Sequence, residues 1–209
     1  DGPLKLGRYR QFWQCDIDTI GVKGMLAEAE QLALVQNAFQ NLDLDVVIKV
    51  NNRKLLNGIL EQCGIKEKEP AIVAIDKLEK IGAKGVTEEL LQRGYSEVQA
   101  EKVLGLLKQK ITLTELKKKI KSEEGKQGLQ ELEELFGYLK SMKIKCAEFD
   151  ASLARGLGYY TGTVFEVFAV SSPVTSSIAG GGRYDQMVGK FAGGGREISA
   201  VGIAFGLST

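Results

Sequence analysis

Strand-like sequence lies at the two ends of this chain, and residues 66–145 between them carry helical spacing instead. Arg8–Ile20 is rich in aromatic and β-branched residues, and Asp45–Asn51 is a short apolar run. Strand character returns at Thr163–Val170, Ser176–Ala179 and Ala200–Phe205, among many glycines. Strands drawn from both ends of one chain predict an antiparallel α+β sheet flanked by helices, with an all-helical insertion domain in the middle. The expected division is 1–65 and 146–209 as two parts of one core, with 66–145 inserted between them.

Helices are expected at Met25–Phe39, Arg53–Cys63 and, within the insertion, Ile72–Ile81, Thr87–Arg93, Ser96–Lys110, Thr114–Lys121 and Gln127–Met142. A further short helix is expected at Asp185–Phe191. Thr87 and Ser96 read as helix starts, and only Ser96 has a capping-box partner, Gln99, at the third position. The insertion holds 17 Lys and Arg against 14 Asp and Glu, and Lys102–Lys121 alone has seven lysines and one acid. Such a stretch could track a phosphate backbone through Lys108, Lys110, Lys117, Lys118 and Lys119, or be a solvated helix face.

Composition removes several chemistries. The 209 residues contain no histidine, which excludes Ser-His, Cys-His and His-metal sites. Cys15, Cys63 and Cys146 are scattered and never form CxxC, so they read as reduced thiols rather than a zinc site or disulfides. No protein-bound metal is expected. No apolar run reaches the ~18 residues of a membrane span, so a cytoplasmic protein with no membrane partner is expected. Net charge is +1, and affinity for an acidic partner must come from a local patch. The chain opens with Asp-Gly-Pro-Leu and reads as a piece of something longer.

Three segments could carry chemistry. In Gly7–Asp18 the strand period puts Arg10, Phe12, Gln14, Asp16 and Asp18 on one face and Tyr9, Gln11, Trp13, Cys15 and Ile17 on the other. Trp13, Cys15 and Ile17 are expected to supply the buried side, leaving the polar side as a cavity wall or a solvated face. In Leu153–Gly162 (LARGLGYYTG) an arginine followed by glycines and paired tyrosines suits recognition of a carboxylate or phosphate, or a surface ion pair beside a turn. In Ser177–Asp185 a glycine triplet after a strand would admit a ligand close to the backbone, or form a hairpin turn; it matches neither a Walker loop nor GxGxxG.

Together and in this order these segments resemble the histidyl-tRNA synthetases, a family of class II aminoacyl-tRNA synthetases. GRYRQFWQCDID is similar to the second half of class II motif 2, and LARGLGYYTG to the histidine signature, commonly ARGLDYYTG. AGGGRYD resembles the glycine-rich segment that follows, and VGIAFGL the start of motif 3. The resemblance implies a class II catalytic core, ATP-dependent activation of histidine, and transfer of histidine to tRNA(His). ATP would enter with Mg2+, and the parent protein would be a homodimer. It further implies that Arg155 lies between the substrate carboxylate and the α-phosphate, and that Gln14 holds the amino acid near its amine and carboxylate. Asp18 and Tyr160 would contact the imidazole, with Tyr159, Tyr184, Gly180, Gly181 and Gly182 around it. Arg8 and Asp1, with Gln14 and Arg155, would serve ATP.

The sequence departs from that pattern at Gly158, where the signature has Asp, and at Ser208-Thr209, where motif 3 continues Glu-Arg. A piece lacking motif 1, the motif 2 arginine and an anticodon-binding domain is expected to have little activity alone. The alternative is a non-catalytic, histidine-binding relative of the kind found as the regulatory subunit of ATP phosphoribosyltransferase. Retention of Arg155, Tyr159, Tyr160, Gln14, Asp18 and the helical middle favours the enzyme.

Overall fold

The computed structural model describes residues 11–107, 111–193 and 196–207. Its elements are β1 (Gln14–Ile20), α1 (Leu26–Asn41), β2 (Val46–Asn52), α2 (Arg53–Gln62), α3 (Lys68–Ile75), α4 (Leu78–Gln92), α5 (Glu97–Leu106), α6 (Leu113–Lys119), α7 (Glu123–Ser141), β3 (Ala147–Phe149), β4 (Thr163–Ala169), β5 (Ala179–Arg183), α8 (Met187–Phe191) and β6 (Ala200–Gly206). Six strands form one sheet in the order β1-β6-β5-β4-β2-β3, with β6 antiparallel to both β1 and β5. The α+β class with a helix-flanked sheet is therefore as the sequence predicts.

The separate all-helical insertion is not. The chain divides into two compact units, one comprising the described residues of Asp1–Lys49, Glu134–Glu148 and Phe165–Thr209, the other Val50–Glu133 and Phe149–Val164. Helices α3 to α6 share the second unit with α2 and residues 149–164, so among the described residues the 66–145 stretch forms no separate all-helical domain. The apolar faces that suggested one, including Ile72, Ile75, Leu90 and Val103, are buried in the same unit as Leu55, Leu56, Ile59 and Leu60 of α2.

In the first unit, α1 buries Ala27, Glu28, Ala29, Gln31, Leu32, Val35 and Phe39, a stripe at three- and four-residue spacing, while Leu26 and Leu34 are exposed. The stripe lies against β6: the Gln31 side chain donates to the Val201 carbonyl at 2.8 Å, and the Phe39 and Phe205 rings are 5.9 Å apart. In the second unit α2 and α7 approach closely at Gly58 and Gly125, where a side chain on Gly58 would run into the Gly125 backbone. Asn52 caps α2 by accepting the Lys54 N–H.

Several local expectations are corrected. Strand β1 starts at Gln14 among the described residues, and of the side assigned to the core Trp13 is 75 % exposed and Cys15 exposed while Ile17 is half-buried. Among the described residues β1 is the end strand of the sheet and pairs with β6 alone, so alternation marks its two faces without fully burying either. The helical run Ile72–Ile81 breaks at Asp76–Lys77 between α3 and α4. Thr87 begins no helix; it lies inside α4, beyond a kink at Gly82, and donates to the Ala83 carbonyl. The Ser96 capping box is present, and a second, Thr112 with Glu115, starts α6. The Ser176–Ala179 strand is displaced along the chain: Gly180–Gly182 are not a turn after it but lie within β5, paired to β6.

Candidate functional site

The strand register builds one face of the first unit from small residues. Residues directly opposite in an antiparallel pair share a side of the sheet. Gln14 faces Gly206, Asp16 faces Ala204 and Asp18 faces Gly202, while Gly180 and Gly182 face Ala204 and Gly202 across the next gap. Three polar side chains thus stand beside a surface of glycine and alanine. Asp18 leans over that surface, and a methyl group on Gly202 would overlap its Oδ1. Tyr184, one residue past β5, donates its hydroxyl to the same Asp18 oxygen. Gly181 turns to the other side, where an added side chain would meet the Gly202 carbonyl and the Phe165 ring.

Tyr184 is aimed by its neighbours. Arg183 is 2 % exposed and donates through Nε and Nη2 to both oxygens of Glu28 at 2.6 and 2.7 Å. Its other donors reach the Val22 and Gly24 carbonyls and Asp185, so the guanidinium is fully bonded. Asp185 also accepts the Ala200 N–H, and the Tyr184 N–H donates to the Ala200 carbonyl. With Arg183 held on the α1 side and both backbone neighbours fixed, the intervening tyrosine is directed to the opposite side, where Asp18 lies. Glu28 was missed from sequence; an acid inside an apolar helical stripe is the signal that calls for a buried cation.

The signature segment belongs to the second unit and is held at several points. Asn51 donates to the Ala151 and Leu153 carbonyls at 3.0 and 2.8 Å, and the Arg53 N–H donates to the Gly162 carbonyl at 2.8 Å. The buried Arg53 guanidinium reaches the Arg155 carbonyl at 3.4 Å and Glu69 of α3 at 2.5 Å. Between these ties the Arg155 guanidinium stands over the Tyr160 ring, 5.2 Å from its centre. Tyr160 is buried with Leu153 and Val164; Tyr159 is 40 % exposed, with its ring 4.5 Å from that of Tyr160. Gly158, the departure from the signature, faces Glu69: a Cβ there would be 3.4 Å from its Oε2, so an acid would be set beside an acid.

The remaining candidates are placed more simply. Lys117 pairs with Glu133 at 2.8 Å, and Lys118 and Lys119 are exposed in the last turn of α6, where cations suit the helix dipole. Asp1, Arg8, Lys108 and Lys110 lie outside the described residues. Among the described residues no group of three or more Cys, Asp and Glu side chains is arranged to hold a metal ion, and no helix is long and apolar enough to cross a membrane.

Comparison with known proteins agrees with the motifs. The family model for histidyl-tRNA synthetase matches residues 2–209. A histidine--tRNA ligase 1 of Bacillus cereus (strain ATCC 10987 / NRS 248) is 43 % identical over 212 residues, covering 99 % of this chain and 49 % of that protein. A histidine--tRNA ligase of Bacteroides fragilis is 44 % identical over 213 residues, covering 99 % and 46 %. The chain thus spans about half the length of the curated relatives it matches. Among solved structures, histidyl-tRNA synthetase from Nostoc sp. PCC 7120 superposes with a TM-score of 0.86 at 34 % identity, over 95 % of this chain and 49 % of that one. An ATP phosphoribosyltransferase regulatory subunit/histidyl-tRNA synthetase from Bacillus halodurans C shares the fold, with a TM-score of 0.79 at 24 % identity over 94 % and 52 %. From its motifs, its sheet and these matches, the chain belongs to the histidyl-tRNA synthetase family.

Proposed function

We propose that the full-length protein joins histidine to ATP and passes the histidyl group to tRNA(His), and that this chain supplies histidine-binding and charge-neutralising residues. The observation that carries the reading is the Asp18–Tyr184 hydrogen bond on a glycine-paved sheet face. A carboxylate beside a phenol suits the N–H of an imidazole. A site built to hydrogen-bond a ring nitrogen would favour histidine over amino acids that lack one. Gln14 on the same face would hold the amino acid's polar end, with Gly180 and Gly182 allowing close approach of the ring.

The chemistry needs no protein nucleophile, in keeping with a chain without histidine. The substrate carboxylate attacks the α-phosphorus of ATP, a new P–O bond forms, and pyrophosphate leaves with the electrons of the broken one. ATP would arrive as its Mg2+ complex. The protein's part is to place the reactants and offset the charge of the transition state, the role assigned to Arg155. The tyrosine pair would flank histidine, Arg8 and Asp1 would serve ATP, and Lys117, Lys118 and Lys119 would favour the tRNA backbone.

Histidine-dependent exchange of pyrophosphate into ATP by the full-length protein tests the reading. Arg155→Ala is expected to lower it by about 10²–10³-fold, as for loss of one preorganised charge-stabilising group. Normal exchange in that variant would remove Arg155 from its role, and histidine binding without exchange in the wild type would favour the regulatory alternative.

A further inference from the structure

Asp76 lies outside every motif that carried the functional reading. It falls between α3 and α4 in a stretch rich in lysine and glutamate, where an acid ordinarily reads as part of a solvated face. Neither adjacent helix accounts for it. It is the C-cap of α3, the end at which a negative charge is disfavoured, and α4 begins from Lys77 with no side-chain cap bond.

The carboxylate is instead turned to the signature segment. A Cβ on Gly156 would stand 3.3 Å from the Asp76 Oδ2, which sets the carboxylate against the Gly156 backbone. The charges around it are Lys80, Arg155 and Lys77. On the other side of the same peptide, the Arg155 carbonyl accepts from Arg53, which Glu69 of α3 holds. The Arg155–Gly156 peptide is therefore bonded at its oxygen and faced by a carboxylate on its Gly156 side, in both cases with help from the α3 end of the helical stretch. Burial pushes the Asp76 carboxyl above its usual range, against the pull of Lys80, Arg155, the Gly156 N–H and Lys77. An acid kept in a desolvated place with a specific partner is a recurrent mark of a functional environment.

We infer that Asp76 is a positioning residue for Arg155: by holding the Gly156 N–H it fixes the peptide from which the guanidinium projects. It touches neither histidine nor ATP and acts only through Arg155. The inference rests on the proposed role of Arg155 in histidine activation. It assigns to α3, through Asp76 and Glu69, the support of a loop some 80 residues further along the chain.

The test uses the full-length protein and histidine-dependent pyrophosphate exchange. Asp76→Ala is expected to lower kcat about 100-fold with KM for histidine changed less than about threefold, the pattern of a misplaced group. Asp76→Asn, whose amide oxygen can still accept the Gly156 N–H, should return kcat to within about tenfold of wild type, a rescue that general loss of structure would not give. A kcat for Asp76→Ala within about threefold of wild type would overturn the inference. Hydrogen exchange at the Gly156 amide of the unmodified protein decides independently of activity and of whether Asp76→Ala folds. Slow exchange supports the bond, and exchange at the rate of a free peptide overturns it. Failure of the wild type to exchange pyrophosphate with histidine would instead sink the proposed function, with the amide measurement still judging the Asp76 contact.

Discussion

The sheet face around Asp18 and the loop around Arg155 solve the same problem differently. On the sheet, backbone register does most of the positioning: Asp18 faces Gly202, Gly202 faces Gly182, and Tyr184 follows one residue beyond β5. One buried ion pair, Arg183 with Glu28, fixes the end of that strand. The signature loop has no regular ladder to hold it. Side chains from distant parts of the sequence (Asn51 and Arg53) bond its backbone instead, and Asp76 stands against Gly156. A strand can lend precision to its side chains through geometry alone, whereas a loop needs polar partners for its own peptide groups.

If the sheet face truly depends on one anchor, removing that anchor should have the largest effect on stability. Glu28→Ala leaves the Arg183 guanidinium buried without its carboxylate and should cost about 3–5 kcal/mol in denaturant unfolding. A loss below about 1 kcal/mol, the scale of an exposed pair, would mean that register alone suffices. The close approach at Gly202 gives a subtler probe. Gly202→Ala should push the Asp18 carboxylate off its place and raise the Kd for histidine about tenfold, the scale of one lost hydrogen bond to a charged group. Unchanged affinity would show that the bare face is a packing feature only.

The smallest expected effect contrasts a part-buried ion pair in the second unit with the fully buried one. Hydrogen bonds from Lys77, at 2.6 Å, and from Arg93 hold the Glu89 carboxyl below the usual range. The stabilisation is therefore complete above the ordinary carboxylate range and fades as pH falls through the lowered value of the folded state. Glu89→Gln should lower stability by a small amount at neutral pH and flatten the acid limb, the difference from wild type vanishing once Glu89 is protonated. An identical acid limb in wild type and variant would contradict the assignment.

The sequence was informative where a rule is local. Alternation in Gly7–Asp18 separated Gln14, Asp16 and Asp18 from Cys15 and Ile17, and the register keeps them together. The Ser96–Gln99 spacing marked a helix start that is present. The exposure of Trp13 and Cys15 was not legible, because alternation separates the two faces of a strand without telling how far either is covered. The Asp18–Tyr184 bond depends on how β1, β6 and β5 align, a relation between segments more than 160 residues apart. Asp76 and Glu69 were hidden for another reason: among so many lysines and glutamates, nothing local distinguishes a carboxylate that faces a remote segment from one that faces water. The family motifs named Arg155 but not what holds it.

The claim on which the account turns is that Asp18 recognises the imidazole of histidine. Calorimetric titration of histidine into the full-length wild-type protein and into Asp18→Ala tests it most directly. Loss of a hydrogen bond to a charged group, about 1.5–3 kcal/mol, should weaken binding roughly 10- to 150-fold in the variant. Equal affinity in the two proteins, or no binding of histidine by the wild type, would contradict it.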